Sequence, residues 1–174
     1  MSHLLEALQS EPEALKAQTF KALSIWEPFA SLVARGVRTL DTRTWATEYR
    51  GPIAIHAAKT LCLVGAPARL CASALGFDWW DTRSLGHVVA VAVLEDCIPA
   101  HKIKTETLTR ADRECADFGW GRFAWRFGQV RHLIRPIPQP GRQGLFNWTF
   151  EGDLEQRLGP ICDHRRICHE IGWS

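Results

Sequence analysis

The segment from Leu23 to Arg43 constrains the fold most, because two of its residues fix where a helix can begin and end. Pro28 suits an early helical position, since it has no backbone N–H to leave unpaired and its φ is already close to helical. Gly36 suits the end of a helix, since glycine readily adopts the left-handed conformation found there. The segment therefore predicts a short strand, two helical turns over residues 28–35, and a second strand after Gly36.

Two guanidiniums and a carboxylate follow Gly36 within a few positions, as Arg38, Asp41 and Arg43. In one interpretation Arg38 and Arg43 grip a phosphate or the edge of a base while Asp41 orients one of them, each charge-assisted bond contributing about 1.5–3 kcal/mol. In the other interpretation, these residues are the solvent-exposed start of a strand, and their Asp/Arg ion pair contributes about 0–1 kcal/mol.

The same region resembles a known family. Leu-Ser-Ile-Trp-x-Pro at residues 23–28, followed by Gly36-x-Arg38-x-x-Asp41-x-Arg43, is similar to the ASCH domain, whose signature is Gly-x-Lys-x-x-Glu-x-Arg. Arg38 stands where Lys is usual and Asp41 where Glu is usual, and both keep the sign of the charge. The similarity continues through residues 49–59, 123–125 and 136–146. We call the segment from Gly36 to Arg43 the signature.

The resemblance implies a PUA-like barrel that binds RNA or a modified nucleotide. The family also includes members that look like ribonucleases, and a branch that removes an acyl group from modified cytidine with a Lys, a Thr and a Glu. Here the Lys position is Arg38, whose guanidinium stays protonated and cannot act as a general base. The Thr position is Asp41, which has no hydroxyl. Substitutes for that Thr and Glu would come from Thr39, Thr42, Thr44, Glu95 or Glu114.

Hydrophobic patterning predicts an α+β fold, a small mixed β-barrel of five to six strands with flanking helices. The predicted strands include residues 52–59, 87–94, 123–134 and 145–150, and the predicted helices cover residues 61–75 and a short stretch near 106–115. Residues 135–141 contain three prolines, which favours an extended, turn-rich connection.

A chain of 174 residues can bury enough surface for one self-sufficient core. We expect an N-terminal helical extension at residues 1–18, an ASCH-like domain at 19–150 and a C-terminal tail at 151–174. The six cysteines form no tight framework, and no leader or long apolar run is evident, so reduced thiols and a cytoplasmic location are expected. An adaptor that binds a protein partner through both extensions is an alternative function.

Arginine outnumbers lysine sixteen to five, although the net charge is only +2. Arginine suits phosphates and aromatic rings, but a GC-rich genome would produce the same bias. Residues 118–150 carry five arginines, among them Arg126 and Arg142, and no acidic residue. Aromatic residues interleave with them, as on single-stranded nucleic-acid surfaces, although Phe123, Trp125 and Phe127 are more typical of a core. Trp26 and Trp45 are candidates to wall a pocket for a splayed base.

Tyr49, His56 and Lys59 are the candidate catalytic residues for RNA cleavage, with His56 or Lys59 as acid or base and the RNA-binding Arg50 stabilising a developing phosphorane. A histidine inside a strand is more often a hydrogen-bonded core residue. The Cys/His-rich stretch at 162–169 fits no common zinc spacing, so neither a metal nor a cofactor is expected. We expect binding of single-stranded RNA or a modified nucleoside in a basic cleft at the signature. The alternatives are a metal-independent ribonuclease and an amidohydrolase acting on an acylated nucleoside.

Overall fold

A single mixed β-sheet organises the chain in the computed structural model, which describes residues 17–62, 74–76 and 83–171. The strands are β1 (Gln18–Glu27), β2 (Leu40–Arg43), β3 (Gly51–Leu61), β4 (His87–Pro99), β5 (Phe123–Pro138), β6 (Leu145–Phe150) and β7 (Leu158–Ile161). Three α-helices are described: α1 (Phe29–Ala34), α2 (Arg110–Cys115) and α3 (His164–Glu170). Short 3-10 turns span Ala100–Lys102, Thr105–Thr107 and Glu155–Arg157.

The strand order is β2-β5-β4-β3-β1-β6, and β7 pairs with β5 beside this path. Only β1 and β3 run parallel, while the other described pairs are antiparallel. No pairing joins β2 to β6 within the described residues, so the sheet is not closed. The prediction of an α+β fold is confirmed, but that of a closed barrel of five to six strands is wrong. One reason is the length of β5, whose first part pairs with β2 and whose later part pairs with β7.

The helix between β1 and β2 follows its sequence signals. α1 begins after Pro28 and ends before Gly36, whose φ of +72° lies in the left-handed region. The carboxylate of Glu27 accepts hydrogen bonds from the backbone N–H and the hydroxyl of Ser31 in the first turn, at 3.0 and 2.7 Å. Burial raises the pKa of Glu27 above its usual value. α1 then packs on the main core cluster, which includes the fully buried ring of Trp125.

The predicted strands are all present, but β5 continues beyond residue 134 to Pro138. The expected turn-rich connection at 135–141 is therefore wrong over its first four residues. Pro136 lies where the register between β4 and β5 shifts, between the pairs Ala90–His132 and Val88–Ile137. A missing N–H is tolerated at such an irregularity, which is why the prolines do not end the strand.

Some of the residues beyond 150 pack on the same sheet. β7 pairs with β5, and Cys168 of α3 is buried in a cluster with Leu32 and Val37. The thiol of Cys162 contacts the carbonyl of Ala34. Most of the predicted helices at 1–18 and 61–75 lies outside the described residues. None of the described helices has the length and apolar character needed to span a membrane.

Candidate functional site

A cavity of about 590 Å³ opens at the end of the signature. β1, α1 and β2 form one side of it, and the end of α2 with the residues that follow forms the other. Its described lining consists of Ser24, Ile25, Trp26, Phe29, Asp41, Thr42, Arg43, Thr44, Trp45, Cys62, Glu114, Cys115, Ala116, Asp117 and Arg122. The size falls within the range of small-molecule sites in proteins.

The two sides are joined by the buried carboxylate of Asp112. It accepts hydrogen bonds from the backbone N–H of Thr39 at 2.9 Å, the Thr39 hydroxyl at 2.7 Å and the backbone N–H of Leu40 at 3.3 Å. Asp112 also forms a capping box with Thr109 at the start of α2. Because one side chain binds both elements, the position of α2 relative to the signature strand is fixed.

Arg43 is the best-anchored cation of the cavity. Its Nε donates to Asp41 Oδ2 at 3.1 Å and its Nη2 donates to the carbonyl of Ser24 at 2.6 Å. The guanidinium carbon also lies 5.9 Å from the ring centre of Trp45. The predicted orientation of a signature arginine by Asp41 is therefore seen at Arg43, and a guanidinium has five N–H donors, of which these bonds use two.

Arg38 does not line the cavity, although the sequence suggested that it would grip the ligand. Its side chain is 1% exposed, and the guanidinium lies 4.9 Å from the ring centre of Phe29. Its Nη2 is 3.6 Å from Asp41 Oδ1, while no described residue accepts a hydrogen bond from its Nε or Nη1. Since Phe29 and Asp41 both line the cavity, Arg38 supports the wall from behind.

The described lining carries mixed charges rather than forming the basic cleft expected from the sequence. Its two cations, Arg43 and Arg122, are accompanied by the carboxylates of Asp41, Glu114 and Asp117. Asp41 and Asp117 are paired with these arginines. Glu114 is held by Arg110 through Oε1 at 2.7 Å, whereas its Oε2 is buried and no described residue donates to it. The lining residues thus include carboxylates as well as guanidiniums, with Glu114 Oε2 buried behind the surface of the cavity.

Two indole rings stand at the cavity, as the sequence suggested. Trp26 is 55% exposed, which is unusual for so large an apolar side chain. Trp45 makes an edge-on contact with the buried ring of Trp125 at 4.5 Å, and its carbonyl accepts a hydrogen bond from the Trp125 indole N–H at 3.2 Å. Trp45 is therefore held rigidly by the core, while Trp26 offers an open face.

The three candidate catalytic residues do not line this cavity. His56 is 1% exposed, and both ring nitrogens have partners: Ser24 Oγ at 3.0 Å and the carbonyl of Gln139 at 2.8 Å. A carbonyl only accepts, so Nε2 carries the proton and Nδ1 accepts from the serine. Burial lowers the pKa of His56, in keeping with this neutral state. Tyr49 donates to the carbonyl of Pro52, and Lys59 is exposed at the other end of β3.

Three candidate RNA-binding arginines also lie elsewhere. Arg50 is exposed and pairs with Asp96 at 3.1 Å. Arg126 is half-buried on β5, and Arg142 is exposed in the β5–β6 connection. The structure thus brings together Trp26, Asp41, Arg43 and Trp45, with Arg38 behind them, and leaves Tyr49, Arg50, His56, Lys59, Arg126 and Arg142 outside the described lining.

Sequence reasoning missed most of the side formed by α2. Ala116 and Asp117 carried no expectation, Glu114 was considered only as a substitute carboxylate, and Arg122 was only one of a run of arginines. They lie some seventy positions beyond the signature, so no local spacing connects them with it.

The expectation of reduced thiols is wrong for Cys115, which takes part in a disulfide; Cys62, Cys97, Cys162 and Cys168 are free. No group of three metal-binding side chains occurs among the described residues.

The mixed sheet, the short helix before the signature and the cavity beside it define a small α+β domain with a nucleotide-sized site. The ASCH domain model matches residues 23–126, so this chain belongs to the ASCH domain family. Membership supports a general RNA-binding role.

Solved structures similar to this chain include the ASCH protein from Zymomonas mobilis and a point mutant of it. The native protein has a TM-score of 0.42 and covers 72% of this chain and 85% of its own. The mutant has a TM-score of 0.43 and covers 72% of this chain and 87% of its own. Both are 16% identical to this chain. No curated protein gives a significant match.

Proposed function

We propose that this ASCH domain binds single-stranded RNA by taking one nucleobase, unmodified or modified, into the cavity beside the signature. The observation that carries this proposal is the convergence of two indole rings, an anchored guanidinium and the Glu114 carboxylate in the lining of one cavity of about 590 Å³. Sequence-specific RNA recognition commonly takes this form, because an unstacked base can be stacked on rings and hydrogen-bonded along its edge.

Stacking is the first contribution. The open face of Trp26 and the fixed ring of Trp45 offer aromatic surfaces to a base. Each stacked base contributes about 1–3 kcal/mol in single-strand binding proteins. Trp45 loses little conformational freedom on binding because its contact with Trp125 already holds it, so it is the preorganised part of the site.

Edge recognition is the second contribution. No described residue donates to Glu114 Oε2, and we propose that this carboxylate turns toward the ligand and accepts from an exocyclic amino group, which cytosine, adenine and guanine carry and uracil lacks. Arg43 offers the remaining N–H groups of its guanidinium to a base acceptor. The arrangement therefore favours an amino-bearing base over uracil.

The charge balance determines which part of the RNA enters. Three carboxylates beside two arginines make the described lining a poor place for a phosphate, so the phosphates lie outside the cavity. Arg142, which is exposed outside the cavity, is available to the backbone. This division matches the general rule that backbone contacts position a nucleic acid while base contacts specify it.

The test is titration of a labelled single-stranded RNA and of the four nucleoside monophosphates with the wild-type protein and with Trp26→Ala, Arg43→Gln and Arg166→Gln. We expect the first two variants to lose about tenfold or more in affinity. Arg166→Gln is the matched control, since Arg166 is an exposed arginine paired with a carboxylate, Glu170, outside the described lining. Unchanged binding in Trp26→Ala and Arg43→Gln would exclude the cavity.

Glu114→Gln tests which base is read. The wild type should prefer CMP, AMP and GMP to UMP, and the variant should lose most of that preference because an amide carries less negative charge toward an amino donor. The Arg110 partner of Glu114 provides a check on indirect effects: Arg110→Gln should leave the preference in place. Equal discrimination by wild type and Glu114→Gln would remove Glu114 from recognition.

A second candidate, removal of an acyl group from a modified nucleoside, is favoured by one observation: Thr42, Thr44 and Glu114 line the same cavity. It ranks lower because the described lining contains no lysine and because Thr42 Oγ1 already accepts a hydrogen bond from Asp117 N at 3.1 Å. Incubation with N4-acetylcytidine decides between the two. Release of acetate that Glu114→Gln abolishes would establish hydrolysis, and an intact nucleoside would leave binding as the function.

A further inference from the structure

An exposed aromatic pair lies next to the cavity and belongs to no core cluster. Trp120 is 85% exposed, the highest value among the large apolar side chains described. One face of its ring stacks on His101, with ring centres 4.3 Å apart and planes 25° from parallel. The other face is open, so the two rings form a platform of the kind on which nucleobases stack. We call this pair the Trp120–His101 platform.

The platform is fixed to the cavity wall by backbone contacts. The Arg122 carbonyl accepts a hydrogen bond from the backbone N–H of Ala100, at 2.8 Å, which holds the Trp120 turn against the segment bearing His101. Asp117 accepts from Gly119 N at 2.9 Å and pairs with Arg122 at 3.0 Å. Since Arg122 lines the cavity and lies two residues from Trp120, the backbone of the platform is within about 7 Å of the wall.

The surroundings of the ring favour RNA over a protein partner. Its immediate neighbours along the chain are Gly119 and Gly121, Phe118 packs on a core cluster instead, and the segment after Pro99 adds the exposed cations Lys102 and Lys104. A protein contact of useful affinity needs an apolar ring of neighbours that excludes water, whereas a base needs only one flat face and a nearby cation for the phosphate.

We propose that the Trp120–His101 platform binds the nucleotide adjacent to the one in the cavity, by stacking of its base on Trp120, while the partly exposed Arg122 contacts the phosphate between them from the outside of the cavity. This rests on the proposed function. The Arg122 guanidinium is 36% exposed and uses Nε for Asp117, so other N–H donors remain for a phosphate. The site is therefore a second subsite for a single-stranded RNA.

The test compares CMP and AMP with an alternating adenine–cytosine decamer on wild type, Trp120→Ala, Trp120→Phe and Ile134→Ala. We expect Trp120→Ala to bind the decamer about tenfold or more weakly, with affinity for the mononucleotides unchanged. Trp120→Phe should restore most of the affinity, because it restores a ring. Ile134→Ala, which removes an exposed apolar side chain elsewhere, should behave as wild type.

The outcomes separate the two proposals. Wild-type affinity of Trp120→Ala for the decamer would overturn the platform while leaving the cavity site standing. Equal weakening of mononucleotides and decamer would also overturn it, since the ring would then act through the cavity wall. Failure of the wild type to bind any of the RNAs would instead refute the proposed function itself.

Discussion

Asp112 carries the most hydrogen bonds between the two sides of the cavity, so its replacement is the sharpest test of how the site is built. Asp112→Ala removes the acceptor of four hydrogen bonds, from Thr39 N, Thr39 Oγ1, Leu40 N and Thr109 N. Leu40 is fully buried, so its N–H is left without water at a cost of about 1–3 kcal/mol. The other three donors are half-buried and lose about 0.5–1 kcal/mol each. The sum is about 2.5–6 kcal/mol, a large share of the usual 5–15 kcal/mol of a domain.

Urea denaturation followed by tryptophan fluorescence measures this loss in the free energy of unfolding. Asp163→Ala is the matched control, because Asp163 caps α3 from an exposed position and its loss should cost only about 1 kcal/mol. Asp112→Asn keeps one acceptor oxygen and should fall between the two, which maintains the test if Asp112→Ala does not fold. An Asp112→Ala protein no less stable than Asp163→Ala would refute the reasoning.

Two further predictions concern the same framework. The pKa of His56 is lowered in the folded state, so the folded protein binds this proton less readily than the unfolded protein does. The stability contributed by the neutral ring is therefore complete above pH 6.5 and is lost as the pH falls toward the folded pKa. The unfolding free energy should therefore decrease less between pH 7.5 and pH 5 in His56→Gln than in the wild type. Equal decreases in both proteins would contradict this. Gly36→Ala should cost about 2–4 kcal/mol, because φ is +72° and an added Cβ would lie 2.6 Å from Cys162 Cβ. Gly144→Ala, at φ +70° with open space around it, should cost only about 1–2 kcal/mol in the same urea titration, and equal losses would show that the contact with Cys162 is unimportant.

Local signals predicted local structure well in this chain. Pro28 and Gly36 determine the ends of α1 by their own backbone preferences, whatever packs around them. Alternation of aromatic residues with Ala124 and Arg126 over 123–127 predicted a strand with an apolar face, and Trp125 is indeed fully buried. The family resemblance then located one side of the cavity.

Pairings between distant segments were not predictable in this way. The four residues of β7 carry no periodicity of their own and become a strand only because the later part of β5 offers an edge. Likewise, Thr109 and Asp112 have the spacing of a capping box, but only the folded chain shows that the same carboxylate also holds Thr39 and Leu40. The barrel expectation failed for the same reason, since closure depends on which strands share β5.

The burial of Arg38 explains how the signature prepares Arg43 for a ligand. A buried guanidinium with two nitrogens, Nε and Nη1, for which no described residue supplies an acceptor is costly, and the charge of Asp41 and the ring of Phe29 offset only part of that cost. Because Asp41 lies between two cations, it cannot rotate away without leaving the buried charge of Arg38 without a counter-ion. Arg43 is consequently held in one orientation, with Nε and Nη2 occupied and its other donors free to meet a base. Of the three charged residues in the signature, only Arg43 is the ligand contact we propose, while Arg38 and Asp41 hold it in position, so charge count alone overstates how basic the site is.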